Sequence, residues 1–203
     1  MNIKKHYSYL LIILSIIGLL ASAVLMNDAI KLAENPNVEL PCNINPFISC
    51  SDVASKWQSH VFGFPNPILG IISFSLLLGI GLILLYRVVS TKNNGAISRT
   101  KRNFWILVNY GTLASVLFVV WFAYQSIYVI GSLCPYCMII WAITWPIFLY
   151  TTVWNIKEGH FSLNKIHSKF DEFLQKNHLP LLVVWYLTVA LLVFSHFRDY
   201  FFV

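Results

Sequence analysis

Charge is scarce in this sequence. Of its 203 residues only 11% are charged and eight are acidic, whereas 58% are hydrophobic, a balance outside the range of an ordinary soluble domain. The polar residues come in short segments, which leaves no room for an attached soluble domain. The apolar runs also lack two-residue alternation and are about twice the length of a barrel strand, which excludes a transmembrane β-barrel. No internal repeat or low-complexity segment appears. What remains is an all-α integral membrane protein.

Five apolar segments are present, at about 7–26, 67–89, 104–130, 134–154 and 179–197. Each approaches or exceeds the ~20 residues that a helix needs to cross the hydrocarbon core. The net charge of +6 would suit a nucleic-acid partner, but its placement excludes that reading. Lys4 and Lys5 precede the first span, Arg87, Lys92, Arg99, Lys101 and Arg102 follow the second, and Lys157, Lys165, Lys169 and Lys176 follow the fourth. These are alternate loops, hence one side of a membrane. The other side carries Lys31, Lys56 and Arg198 against Asp28, Glu34, Glu39, Asp52 and Asp199. The positive-inside rule therefore predicts a cytoplasmic N-terminus and an external C-terminus. Residues 1–26 also resemble a cleavable signal, with Ala21-Ser22-Ala23 as a cleavage site, but the run is long for a signal core and favours a retained helix.

Cysteine is scarcer still, with four in the chain. Cys134-Pro135-Tyr136-Cys137 opens the fourth apolar run. Proline suits the first helical position, which predicts Cys134 as N-cap and Cys137 in the first turn. Unpaired N–H groups and the helix dipole there stabilise a thiolate, the species that attacks disulfides. The motif reads as a redox pair; a buried inert disulfide, or a zinc site shared with Cys42 and Cys50, are the competing structural readings. Cys42 and Cys50 bound a short loop that a disulfide can close and that is flexible enough to open. On the predicted topology all four cysteines fall at the outer face, where disulfides persist.

The polar stretch 27–66 forms an outer cap loop. Within it, residues 51–62 place Val53, Ala54, Trp57, Val61 and Phe62 on one helical face, which predicts a short amphipathic helix lying in the interface. His60 falls on its solvated side. Gly63-Phe64-Pro65-Asn66-Pro67 turns the chain into the second span, with Asn66 as N-cap. Its amide also sits near the level of Cys134 and Cys137, where it can donate to a carbonyl. Only Gly131-Ser132-Leu133 separates the third and fourth spans, so these are antiparallel neighbours. Residues of about 162–176 predict a cytoplasmic amphipathic helix, and Trp105, Trp141, Trp145, Trp154 and Trp185 read mostly as interfacial belt residues.

Together, Cys42-x7-Cys50, Trp57, the Phe62-Gly-Phe-Pro-Asn66-Pro-Ile-Leu-Gly70 turn and Cys134-x-x-Cys137 resemble the vitamin K epoxide reductase (VKOR) family, especially its bacterial members. The resemblance covers roughly residues 8–155. It implies five transmembrane helices, four of them bundled around a quinone site, in a bacterial cytoplasmic membrane. The implied activity is a quinone-linked thiol oxidase using a quinone of ubiquinone or menaquinone type and no metal. Cys137 then faces the quinone, Cys134 pairs with it and exchanges with Cys50, and Cys42 receives electrons from an external dithiol protein. Asn66 matches an asparagine that hydrogen-bonds a quinone oxygen, and Ser55 a cap serine or threonine near the same site. Trp141 stands where vertebrate members carry a tyrosine, so sensitivity to vitamin K antagonists is not implied. Since the sequence ends just past the fifth span, the expected donor is a separate thioredoxin-fold oxidoreductase outside the cytoplasm. Reduction of a vitamin K epoxide with the same sulfurs, or a non-enzymatic membrane scaffold braced by disulfides, are the alternatives.

Overall fold

A computed structural model describes residues 3–45, 47–90, 99–160 and 168–201. The long helices are α1 (Ile3–Glu34), α3 (Pro67–Ser90), α4 (Arg99–Tyr124), α5 (Pro135–Lys157) and α6 (Ser168–Phe201), with the short α2 (Cys50–Ala54) in the loop after α1. A single-turn 3₁₀ helix (Trp57–His60) follows α2, and α4 continues into a π-helix, Gln125–Ile130. Among the described residues, five helices are long and apolar enough to cross a membrane. No strand forms among the described residues; two isolated bridges pair Asn45 with Ile48 and Ile48 with Leu133. The chain is a multi-pass helical membrane protein.

α1 packs against α3 and α5, and α5 against α4, so these four form the bundle. α6 leans on the outside of α5, and no residue in its most apolar membrane-length stretch is buried. Lipid tails are as apolar as leucine, so packing between spans depends on close backbone approach. α1 supplies it through Ser8, Ser15 and Ser22, seven residues apart and fully buried. A Cβ at Gly70 of α3 would collide with the Ser22 hydroxyl, and one at Gly18 would come within 2.6 Å of the Phe74 ring. The Ala21-Ser22-Ala23 stretch is thus the middle of a bundle helix. α1 stops at Asn35, whose N–H still bonds the Lys31 carbonyl at 2.9 Å, because Pro36 has no N–H to continue the ladder.

Several expectations change in three dimensions. The amphipathic segment of about 162–176 begins outside the described residues, and from Ser168 it runs into the fifth span with a bend at Asn177 (φ −110°, ψ 21°), three residues before Pro180. Trp105, Trp141 and Trp154 are buried rather than at a belt. Tyr7 stacks on Trp154 at 5.0 Å, lies 6.4 Å from Trp105 and pairs its hydroxyl with Thr151 at 2.9 Å, which draws Trp105 and Trp154 inward. Trp145 instead stacks on Trp185 at 4.3 Å, bracing α6 on α5.

Candidate functional site

Cys134 is the N-cap of α5, with extended backbone (φ −109°, ψ 121°), and Pro135 opens the helix. The Met138 N–H bonds the Cys134 carbonyl at 3.0 Å, the first helical rung. A hydrogen bond from the Cys137 thiol, aided by the backbone N–H groups of Cys137 and Tyr136, holds the Cys134 thiol below its usual range against the opposing effect of burial. Both thiols are free and buried.

Cys42 and Cys50 are joined by a disulfide with Cα atoms 5.7 Å apart. The Cys50 sulfur lies 3.4 Å from the Cys134 sulfur. Since Cys50 carries no proton in the disulfide, the Cys134 thiol is the donor in that contact. A disulfide sulfur therefore sits against an activated thiol, the arrangement that thiol–disulfide exchange requires.

Local hydrogen bonds set this approach. The Leu133 N–H donates to the Phe47 carbonyl at 2.8 Å and the Ser49 N–H to the Leu133 carbonyl at 3.0 Å, so the loop docks on the residue preceding Cys134. Asn43 closes the loop on itself, its amide donating to the Ser51 hydroxyl at 2.9 Å and its carbonyl accepting from the Ser51 N–H at 3.2 Å. Beneath, the left-handed Gly131 (φ 71°) ends the π-helix, and the Ser126 carbonyl accepts from the Ser132 N–H at 3.2 Å. π-helical turns concentrate at functional sites, and this one delivers the chain to the cysteine pair. From α6, buried Phe197 covers the loop by packing on Phe47, ring centres 5.5 Å apart.

The cap differs from the expected continuous helix over 51–62. It breaks at Lys56, whose backbone is extended (ψ 151°), between α2 and the 3₁₀ turn. Competing side-chain bonds explain the break: the Ser59 hydroxyl takes the Val53 carbonyl at 2.6 Å and the Asn66 amide takes the Gln58 carbonyl at 2.7 Å. Consequently Gln58 and Ser59 are buried, while Trp57, Val61 and Phe62 remain exposed, although Phe62 also borders the cavity beneath the cap.

Beneath the cap, the bundle encloses a cavity of about 320 Å³. Cys50, Cys134, Cys137, Ser59, His60 and Asn66 line it, with apolar walls that include Phe74, Phe118, Phe122, Trp141 and Ile147. Asn66 lies at the start of α3, where its backbone carbonyl accepts from Leu69 at 3.0 Å, but its side chain ties the cap instead of capping the helix. One of its two amide hydrogens is engaged by Gln58, which leaves the other for a ligand. Ser55 corrects the expectation placed on it: it is exposed, bonded to the Asp52 carbonyl at 3.0 Å, and outside the cavity lining. Ser59 is the cap serine that reaches the cavity.

Sequence reasoning passed over Asn43, Gln58, Ser59, Gln125 and Ser126. Gln58 donates to Gln125 at 3.4 Å and so ties the cap to the π-helix. Gln125 and Ser126 did carry a signal, being polar residues inside an apolar run. Residues 9–152 match the profile of the vitamin K epoxide reductase family, a stretch that includes all four cysteines. None of the curated proteins matches the chain.

Proposed function

The chain belongs to the vitamin K epoxide reductase family, whose members are oxidoreductases, and on that premise we propose that it is a quinone-dependent thiol–disulfide oxidase. Its donor is a separate thioredoxin-fold protein outside the cytoplasm, and its setting is a bacterial cytoplasmic membrane with the N-terminus inside. The observation that carries this reading is the 3.4 Å approach of Cys50 to Cys134, with Cys137 lining the adjoining cavity.

The exchange runs sulfur by sulfur, each step forming one S–S bond and breaking another. A donor thiolate attacks Cys42 and frees Cys50; the donor's second thiol then releases Cys42 and leaves as a disulfide. Cys50 attacks Cys134 of a Cys134–Cys137 disulfide, and Cys137 departs as a thiolate towards the cavity. Cys42 next attacks Cys50 and frees Cys134. The described arrangement, with Cys42–Cys50 closed and Cys134 and Cys137 reduced, corresponds to this last stage. For the donor to reach buried Cys42, the loop must release its bonds to Leu133.

A quinone, when bound, supplies the acceptor for the two electrons and two protons that Cys134 and Cys137 give up. The cavity suits one: its volume is at the low end of ligand sites (~300–1,000 Å³), its walls are largely aromatic and aliphatic, and Asn66 offers a donor. Thr112 and Thr144 also line it, but both hydroxyls are spent on helix carbonyls, Asn109 at 2.9 Å and Ile140 at 2.7 Å.

The test is turnover of the purified full-length protein in lipid with dithiothreitol as donor and a short-chain quinone or a vitamin K epoxide as acceptor. The proposal expects quinone reduction that Cys134→Ala abolishes. Turnover of the epoxide alone would assign the reductase activity instead, and turnover of neither would leave a scaffold.

A further inference from the structure

Asp28 is a buried acid that this exchange scheme leaves unused. It lies near the end of α1, in a helix apolar enough to cross a membrane, and is 5% exposed. A carboxylate in such a place is costly unless a partner satisfies it. Its Oδ2 lies 3.7 Å from the Cys42 sulfur. Lys31 follows one turn along α1, Cys42 and Cys50 face it from the loop, and Cys134 is within electrostatic reach from α5.

The chemistry of that contact depends on the state of the sulfur. In the disulfide Cys42 has no proton, so a hydrogen bond here requires the proton to sit on Asp28. When Cys42 is reduced, its S–H can donate to the carboxylate. The Asp28 oxygen and the two sulfurs lie within 4.8 Å of one another, as compact as a metal cage, but sulfurs bonded to each other offer no thiolate to a metal.

We propose that Asp28 is the proton acceptor and donor for Cys42 as the Cys42–Cys50 disulfide closes and opens. The inference rests on the exchange order given above. In closing, the Asp28 carboxylate takes the Cys42 proton, the Cys42 sulfur attacks Cys50 of the Cys50–Cys134 mixed disulfide, and the bonding pair leaves with Cys134 as thiolate. One disulfide replaces another and no net oxidation occurs. In opening, the donor's attack on Cys42 frees Cys50, and protonated Asp28 returns the proton to Cys42 when the donor's second thiol displaces it from the Cys42–donor mixed disulfide.

The experiment follows loop closure directly, without a quinone. Full-length Cys137→Ala protein, reduced with dithiothreitol, freed of it and pulsed with diamide, is quenched with N-ethylmaleimide at intervals, and the Cys50–Cys134 and Cys42–Cys50 disulfides are counted by peptide mass analysis. Asp28→Asn should slow conversion of the first into the second roughly tenfold or more at neutral pH, less than the ~10²–10⁴ a positioned base usually contributes because a thiol is already a few per cent ionised there. The deficit should vanish at strongly alkaline pH, where Cys42 ionises unaided, and Asp28→Glu should recover part of the rate. Equal rates at neutral pH, or a deficit that persists in alkali, would overturn the proposal. Asp28→Asn added to Cys42→Ala, Cys137→Ala should leave Cys50–Cys134 crosslinking unchanged; reduced crosslinking there would make Asp28 a loop support and overturn it too. Failure of the oxidase reading looks different, as wild-type protein that closes its loop at the normal rate yet reduces no quinone.

Discussion

Sulfur exchange needs a thiolate next to a disulfide sulfur; the Cys134 thiol is held below its usual range and stands 3.4 Å from the Cys50 sulfur, so its substitution and that of Cys137 test the same station from two sides. Cys134→Ala and Cys137→Ala should each abolish quinone reduction even with dithiothreitol, whereas Cys42→Ala should block a protein donor and spare some turnover with the small dithiol. Equal loss with both donors would contradict the order of the relay. The pH dependence follows from the depressed Cys134 thiol. A depressed group is fully ionised above the ordinary thiol range and loses its thiolate, with the stabilisation that thiolate draws from the helix start, as pH falls through the lowered value. Ultraviolet thiolate absorbance of the reduced protein should therefore persist below the usual thiol range, and Cys137→Ala, which removes the largest cause, should move the Cys134 transition up. For Asn66→Ala, loss of one hydrogen bond to the acceptor, about 1 kcal/mol, should raise the quinone KM roughly fivefold. An unchanged KM would leave Asn66 only its bonds within the cap.

Elements bring these residues together, and here local sequence differs in how much it reveals. The start of α5 is legible because Cys134-Pro135 is a local cap signal whose geometry depends on few distant groups. The cap is not: periodicity over 51–62 predicts one helix, but Asn66 reaches back to the Gln58 carbonyl and Ser59 to Val53, and these bonds break it. Trp105 and Trp154 mislead for a similar reason, since Tyr7, far away in sequence, decides their burial. The docking of the loop on Leu133 is a pairing of single residues with no pattern to announce it. α1 and α3 meet where Gly70 faces Ser22. Gly70→Leu should force them apart, costing about 1–3 kcal/mol and lowering the thermal midpoint while also disturbing the cavity wall. An unaltered midpoint would show that the contact has room to relax.

At the scale of the whole molecule, the charge distribution and the relay must agree about sides. Eleven of the fourteen Lys and Arg residues lie on the side assigned to the cytoplasm. Once reduced, Cys42 and Cys50 should react in intact cells with a membrane-impermeant alkylating reagent, whereas a cysteine introduced at Asn94, between α3 and α4, should not. External labelling at position 94 would invert the protein and put its sulfurs in a reducing compartment. The central claim is that Cys50, not Cys42, exchanges with Cys134. Its most direct measurement is non-reducing peptide mapping of two double variants after mild oxidation. In Cys42→Ala, Cys137→Ala, a single disulfide should join Cys50 to Cys134, since their sulfurs already stand 3.4 Å apart. Efficient Cys42–Cys134 bonding in Cys50→Ala, Cys137→Ala, with no bond in the first protein, would contradict the account.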